Sequence, residues 1–374
     1  MRIAFIGCGY VADYYQQTLV NHPILQLAGV YDRDPERSRR FTGHYKVKRY
    51  GSFEEVLNDA SVEVVVNLTT PKSHYEITKA ALEAGKQVYT EKPISLRIDQ
   101  ARELVELAEQ RGLILSAAPC NLLSETAQTL WKALRDGLIA TPRLAYAELD
   151  EGMIFENYQG WLNESGTPWP YDDEFETGCT LEHAAYYLGW LTAFFGPAKR
   201  VSSVGKTIVR EKGSSGDCST PDFAVGIIEF ASGMVARITC SIYAEKDHRL
   251  RIFGDGGVLT VQECWDYGAP VFLDSRVPRT WREKHRKRAK LLHLGSPKLP
   301  QVRPANFEYN HRGHKMDFCR GIAELALAAT EKRQPCISAR WSLHVNEVAL
   351  AISNGSDGEM QTTFDPITPM PWAR

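Results

Sequence analysis

The chain has 374 residues, 43% of them hydrophobic, and its 44 basic and 46 acidic residues leave a formal charge of −2. That length allows two domains with a sizeable core, and the balanced charge gives no field that would favour nucleic acid or an anionic membrane surface. No run of about 20 apolar residues occurs, so no membrane-spanning helix is expected.

An apolar run beginning at Arg2 leads into Gly7-Cys8-Gly9-Tyr10-Val11-Ala12, a strand followed by a glycine-rich turn and a helix start. The G-x-G-x-x-A spacing lets the turn lay backbone N–H groups against a pyrophosphate. A second apolar run, Leu25 to Tyr31, ends at Asp32. An acid about 20 residues past the glycines is where the adenosine ribose hydroxyls of a dinucleotide are met. A carboxylate there favours NAD, because the 2′-phosphate of NADP would sit against it. Arg33 and Arg37 lie close by and keep NADP possible. The chain opens directly on a strand, with no leader pattern. Eight scattered cysteines form no C-x-x-C pair. A reducing, cytoplasmic location is the expectation.

The βα alternation continues. Ser52 and Glu55 form a capping box. Val62 to Leu68 is a continuous apolar run, as in a strand buried on both faces. Ser73 to Ala84 is helical and stops at Gly85. Gln87 to Thr90 is a strand, Ile98 to Arg111 an amphipathic helix stopped by Gly112, and Leu113 to Ala117 another strand. This pattern predicts a doubly wound parallel sheet over residues 1–120. Gln87 to Thr90 runs into Glu91-Lys92-Pro93. Ligands gather at the carboxyl ends of parallel strands, so Lys92 would hold its ammonium near the nicotinamide end of a dinucleotide.

The texture changes near Asn121. A helix over Glu125 to Asp136 precedes strand-like runs at Arg143–Leu149, Phe223–Phe230, Met234–Ile242, Leu250–Phe253 and Val258–Val261, with turn signals at Ser232-Gly233 and Asp255-Gly256-Gly257. A strong helix, Gly178 to Phe195, interrupts them, and two more are expected near Met316–Glu331 and Arg340–Ser353. The tail from Gln361 to Trp372 is extended and proline-rich. The fold class is therefore α/β: a Rossmann half, then a C-terminal α+β half over residues 121–374 with a large, mostly antiparallel open sheet.

A Rossmann half with an E-K-P turn at the end of its strand five, followed by an antiparallel α/β half, resembles the Gfo/Idh/MocA oxidoreductases, which include glucose–fructose oxidoreductase and inositol dehydrogenase. Gly7, Gly9, Ala12, Asp32, Glu91, Lys92 and Pro93 fall on matching positions. The resemblance implies that Asn67-Leu68-Thr69-Thr70-Pro71, with His74, lies along the cofactor. It implies an NAD(P)-dependent enzyme oxidising or reducing a hydroxyl-bearing carbon of a sugar, sugar derivative or nucleotide-sugar. A second family motif falls on Gly178 to Tyr186, with two departures: Glu182 replaces the family's Asp, and Tyr186 replaces its His. Residues at i and i+4 share a helical face and can reach one substrate hydroxyl. A free tyrosine has a pKa of about 10. A nearby Lys92 ammonium would lower it, making a Tyr–Lys couple a proton relay. His183 is the rival base, or else an ordinary helix histidine. Asn121 survives where the family carries an Asn or Gln near an Arg, and is a candidate contact for nicotinamide or sugar. A cofactor-binding sensor without catalysis, as in the yeast galactose repressor, is the alternative function.

The loop from Glu151 to Glu176 carries Trp161, Trp169, Tyr171, Asp172 and Asp173, which suits a sugar-binding rim or a lid. Eight basic residues and one acid lie between Arg276 and Lys290, either a solvated loop or a phosphate-recognising one. His311-x-x-His314 lacks a third ligand signal and reads as structural, so no metal is expected. The second sheet carries helices mainly on one side, which predicts a homodimer or homotetramer packed sheet to sheet.

Overall fold

The structure, a computed structural model, describes residues 1–214, 216, 218–276, 297–305 and 314–374. In chain order the first half comprises β1 (Arg2–Ile6), α1 (Ala12–Thr18), β2 (Gln26–Tyr31), α2 (Pro35–Tyr45), α3 (Phe53–Asn58), β3 (Val64–Asn67), α4 (His74–Glu83), β4 (Gln87–Thr90), α5 (Ile98–Gln110) and β5 (Leu115–Ala117). The strands form one parallel sheet in the order β2-β1-β3-β4-β5. Strand order reverses between β1 and β3, so a crevice opens at their carboxyl ends. Every residue of β3, and β1 from Ile3 to Ile6, is buried, as both faces of a helix-covered parallel sheet must be. Ser52 caps α3 as expected, accepting from the Glu55 N–H at 3.2 Å, while the Glu55 carboxylate reaches the Gly51 N–H at 2.7 Å rather than that of Ser52.

The second half adds α6 (Glu125–Arg135), β6 (Pro142–Asp150), α7 (Tyr171–Thr177), α8 (Cys179–His183), α9 (Ala185–Phe195), β7 (Ala198–Lys206), β8 (Phe223–Phe230), β9 (Val235–Ser241), β10 (Leu250–Gly254), β11 (Gly257–Val261), β12 (Val271–Ser275), α10 (Arg320–Glu331), α11 (Ala339–Ser353) and β13 (Asp357–Glu359). Its eight-stranded sheet runs β12-β11-β10-β6-β9-β8-β7-β13. Among the described residues only its β6–β9 pair is parallel. Helix α11 joins the halves: its Leu343 enters the Rossmann core, Arg340 pairs with Glu109 of α5 at 2.6 Å, and Asn346 donates to the Ser95 carbonyl at 3.1 Å.

The expected helix over Gly178–Phe195 is present as α8 and α9, which meet at Ala184; that residue keeps helical dihedrals, its N–H reaching Thr180 at 2.8 Å and its carbonyl accepting from Leu188 at 2.9 Å. The His183 ring lies 3.0 Å from the Cys179 carbonyl, the oxygen its own main-chain N–H needs in a regular helix. The next turn tightens, with the Tyr187 N–H reaching Ala184 at 3.2 Å. The helix expected from Met316 begins at Arg320. All eight cysteines are free thiols. No described helix is long and apolar enough to cross a membrane.

Candidate active site

The glycine turn is shaped by main-chain demands. Gly7 sits at φ +100°, and a Cβ there would lie 2.6 Å from the Leu68 carbonyl oxygen. Only glycine meets both conditions. Its N–H binds the Tyr31 carbonyl at 2.8 Å, tying β1 to β2. A Cβ on Gly9 would meet nothing within 4 Å, so this side of the turn is open to a close-approaching pyrophosphate. Ala12 is fully buried, seating α1 on the sheet. The Asp32 carboxylate accepts the Cys8 N–H at 2.7 Å and the Asp34 N–H at 2.8 Å, bracing the turn from the end of β2. Tyr10 packs edge-on against Tyr14, and Val11 is partly buried. Arg33 is exposed, and Arg37 lies 3.5 Å from Asp34. These residues fit a dinucleotide.

The neighbouring turns are braced from inside. Asn67 accepts the Thr69 hydroxyl at 2.6 Å and donates to Thr78, and Pro71 opens the short turn into α4. His74 does not lie along a cofactor surface. It is fully buried, with Nδ1 2.6 Å from the Pro93 carbonyl and Nε2 2.9 Å from the Thr69 carbonyl, so it clips the β3 turn to the β4 turn. Asn121 is likewise buried and donates to the Tyr186 carbonyl at 3.1 Å; it steers the helix rather than facing nicotinamide or sugar. Glu91 accepts the Tyr15 hydroxyl at 2.6 Å and the Lys92 N–H at 3.0 Å, locking α1 against the lysine turn.

Lys92 from the end of β4 forms an ion pair with Glu182 of α8, and the two side chains are only 16% and 6% exposed. Burial works against the ammonium, but Glu182, Glu174 and Glu91 outweigh it and hold Lys92 charged. Glu174 of α7 is the second carboxyl of this cluster. Burial and the adjacent Glu182 charge push its pKa up, while Lys92 pulls against them. One lysine thus faces two acidic side chains from the second half of the chain. Tyr186 belongs to the same cluster, but its phenol moves opposite to expectation. Burial raises its pKa, and the lowering by Lys92 is the smaller effect.

His183 packs beside Trp265, as does Tyr186. With Nδ1 toward the Cys179 carbonyl, its Nε2 lies 3.6 Å from Glu151. Burial lowers its pKa despite Glu151, leaving a neutral imidazole. Beyond it, Glu151 meets His248 Nε2 at 2.9 Å, and His248 Nδ1 meets Glu263 at 2.8 Å. Burial opposes charge on His248, yet the two carboxylates raise its pKa to about 9. His248, Glu263 and Cys264 are near neighbours. Both ring nitrogens of His248 already face carboxylates, and burial raises the Cys264 thiol far above its ordinary pKa, so the group is an ion-pair cluster rather than a ready metal site.

Glu174, Glu151, His248 and Trp265 did not emerge as site residues from the sequence. Glu174 and Glu151 lie at opposite ends of the aromatic loop; its folding brings Glu174 to Lys92 and Glu151 to His183. The loop's rings mostly pack on one another: Tyr158 on Tyr171 at 4.3 Å and Trp161 on Trp169 at 5.1 Å. It is a self-packed cover rather than an open stacking rim. Of the basic stretch only Arg276 lies within the described residues, and of the two spaced histidines only His314, which packs against Tyr14 and Phe318.

A Rossmann domain at whose strand ends a buried lysine meets acidic and imidazole groups from a second, antiparallel half defines a nicotinamide-dependent oxidoreductase class. Residues 1–118 match the NAD-binding Rossmann domain of the oxidoreductase family GFO/IDH/MocA, and residues 127–260 match its C-terminal domain. The chain belongs to that family, and its first half is an NAD(P)-binding domain. A trans-1,2-dihydrobenzene-1,2-diol dehydrogenase of Mus musculus is 26% identical over 270 residues, covering 71% of this chain and 75% of that protein. Two solved structures share the fold. The UDP-N-acetylglucosamine 3-dehydrogenase of Acidithiobacillus ferrooxidans has a TM-score of 0.70 at 19% identity, covering 95% of this chain and 97% of that one. The WlbA dehydrogenase of Bordetella pertussis, in complex with NADH and UDP-GlcNAcA, has a TM-score of 0.72 at 15% identity, covering 96% and 98%.

Proposed function

We propose that this protein is an NAD(P)-dependent dehydrogenase or ketoreductase acting on a secondary alcohol of a sugar, sugar derivative or nucleotide-sugar. The observation that carries the reading is the buried Lys92–Glu182 pair at the carboxyl end of β4, beside the dinucleotide turn. Bound nicotinamide supplies or accepts the hydride; the remaining work falls to this chain. Lys92, held as an ammonium, donates to the substrate oxygen and stabilises negative charge there. Glu182 fixes the lysine, and Glu174 is the second acidic group beside it. Tyr186, kept as a phenol, is a hydrogen-bond donor rather than the base. His183 takes the proton at Nε2, and the Glu151 carboxylate stabilises the imidazolium so formed. Asp32, turned toward the crevice end of β2, supports a preference for NAD.

The outer face of the second sheet supports assembly as a homodimer or homotetramer. Leu144, Tyr146, Val225, Ile227, Phe253 and Val258 share that face by register, and Leu144 and Ile227 are 38% and 41% exposed. Light scattering at micromolar concentration checks this, and a monomer refutes it.

The decisive experiment follows nicotinamide absorbance, with NAD⁺ and NADP⁺, across a panel of sugars, nucleotide-sugars and trans-dihydrodiols. Turnover of a sugar-type alcohol that Lys92→Met abolishes is the expected result. Turnover of the aromatic dihydrodiol alone moves the substrate class to that of the mouse relative. Tight NADH binding with no turnover of any panel member leaves the sensor function instead.

A further inference from the structure

The cover loop reaches the nucleotide side of the cleft as well as the lysine. Residues 161–169 form a small hairpin, with the Asn163 N–H on the Thr167 carbonyl at 3.0 Å and the Trp169 N–H on the Trp161 carbonyl at 3.0 Å. Its tip rests on the Rossmann half. The Ser165 N–H donates to buried Asp13 at 2.6 Å, Gln17 donates to Glu164 at 2.6 Å, and Arg40 donates to the Gly166 carbonyl at 3.1 Å. Asn163 itself touches the glycine turn: its Nδ2 lies 3.2 Å from the Tyr10 carbonyl and 3.4 Å from that of Gly9.

The orientation of that amide is settled by its partners. Asn163 Oδ1 accepts the Thr167 N–H at 2.6 Å and the Ser165 hydroxyl at 3.2 Å. A flipped amide would put a donor against the Thr167 donor and an oxygen against two carbonyls. In a trans peptide the C=O and the following N–H point in opposite directions. Holding the Gly9 and Tyr10 carbonyls toward Asn163 therefore turns the N–H groups of Tyr10 and Val11 the other way. An accepted hydrogen bond on a carbonyl also polarises the N–H of the same peptide. The open side of Gly9 is where such N–H groups would meet a pyrophosphate.

We infer that Asn163, from the substrate half, is a positioning residue for the dinucleotide: it pre-orients the two peptides whose N–H groups bind the pyrophosphate. The inference rests on the NAD(P) reading of the turn. Its consequence is that cofactor affinity depends on a loop that also carries Glu174, so cofactor binding and ordering of the substrate cover are coupled.

The test is a fluorescence titration with NADH and a calorimetric titration with ADP on the full chain, together with the melting temperature of the ligand-free protein. Asn163→Ala should weaken both ligands about tenfold, the scale of one net hydrogen bond. Asn163→Ser, which keeps a short acceptor for the Thr167 N–H, should do the same if the alanine variant fails to fold. Glu164→Ala loosens the hairpin tip without touching the turn and should leave both affinities unchanged. A purely structural role would lower the melting temperature and spare the affinities, which overturns the inference. Equal losses in Glu164→Ala and Asn163→Ala also overturn it, because docking of the hairpin would then matter rather than the amide. Wild-type protein that binds neither NADH nor NADPH refutes the cofactor reading itself, a result visible before any variant is made.

Discussion

On the nucleotide side of the cleft, the contacts that shape the site run through the main chain: the Gly7 N–H to Tyr31, the Cys8 and Asp34 N–H groups to Asp32, and the Gly9 and Tyr10 carbonyls to Asn163. Opposite, around Lys92, the site is made of ionisable side chains from β4, α7, α8 and the end of β6. A backbone-built wall is insensitive to most side-chain changes but intolerant of a Cβ in the wrong place. A wall of coupled charges keeps its shape through substitution, yet changes protonation when any member is altered. Damage to the first should therefore read out as lost binding, and damage to the second as lost turnover.

The largest effect expected is on turnover. Lys92→Met keeps most of the stem and removes the ammonium; kcat should fall by about 10²–10⁴. NADH affinity, measured by fluorescence titration, should hold. Equal losses in both would erase the contrast between the walls. Gly7→Ala probes the other side. Its Cβ would meet the Leu68 carbonyl at 2.6 Å in a left-handed conformation, costing about 1–3 kcal/mol. Calorimetry should show a lower melting temperature together with weaker NADH binding.

A finer cut separates the proton carriers. His183→Gln should lower kcat on the order of 10²-fold, whereas Tyr186→Phe should mainly raise KM, because burial keeps that phenol protonated. The reverse ranking, from steady-state kinetics of both variants, would return the relay to Tyr186.

The backbone wall was largely legible in the sequence. Gly7, Gly9, Ala12 and Asp32 lie within one βαβ unit, where spacing alone sets geometry. The E-K-P turn was legible for the same reason, since a strand end fixes where Lys92 starts. The charged wall was legible only in part. Glu182 and His183 sit on a recognisable helix, but Glu174, Glu151 and Asn163 arrive on one long loop whose path depends on its own aromatic packing. Burial was the other hidden quantity. It decided the sign of the Tyr186 shift, and it turned His74 and Asn121 from expected cofactor contacts into internal braces.

The smallest predicted effect concerns stability, and it separates the walls by pH. His248 is buried between Glu151 and Glu263, and its pKa rises from about 6.5 in the unfolded chain to about 9 in the fold. A raised pKa means that the folded state binds the proton more tightly. Its contribution is therefore complete below the unfolded value and is lost as pH climbs through about 9. Glu151 shifts the other way. Burial would raise its pKa, but His183 and His248 overcome that and hold it below the ordinary carboxylate range. Its contribution is present above that range and lost in acid. The cluster thus stabilises the fold between mildly acidic and mildly alkaline pH. His248→Gln keeps a side chain that can donate one hydrogen bond but cannot titrate. The variant should be less stable than wild type at pH 6 by about 1–3 kcal/mol, and the gap should narrow toward pH 9.5. Urea unfolding at both values checks it. The Rossmann wall, held by main-chain bonds, should give NADH affinities in the variant that match wild type at either pH. A stability gap that does not change with pH would show that His248 stays neutral in the fold, and would remove the imidazolium from the ion-pair cluster behind His183.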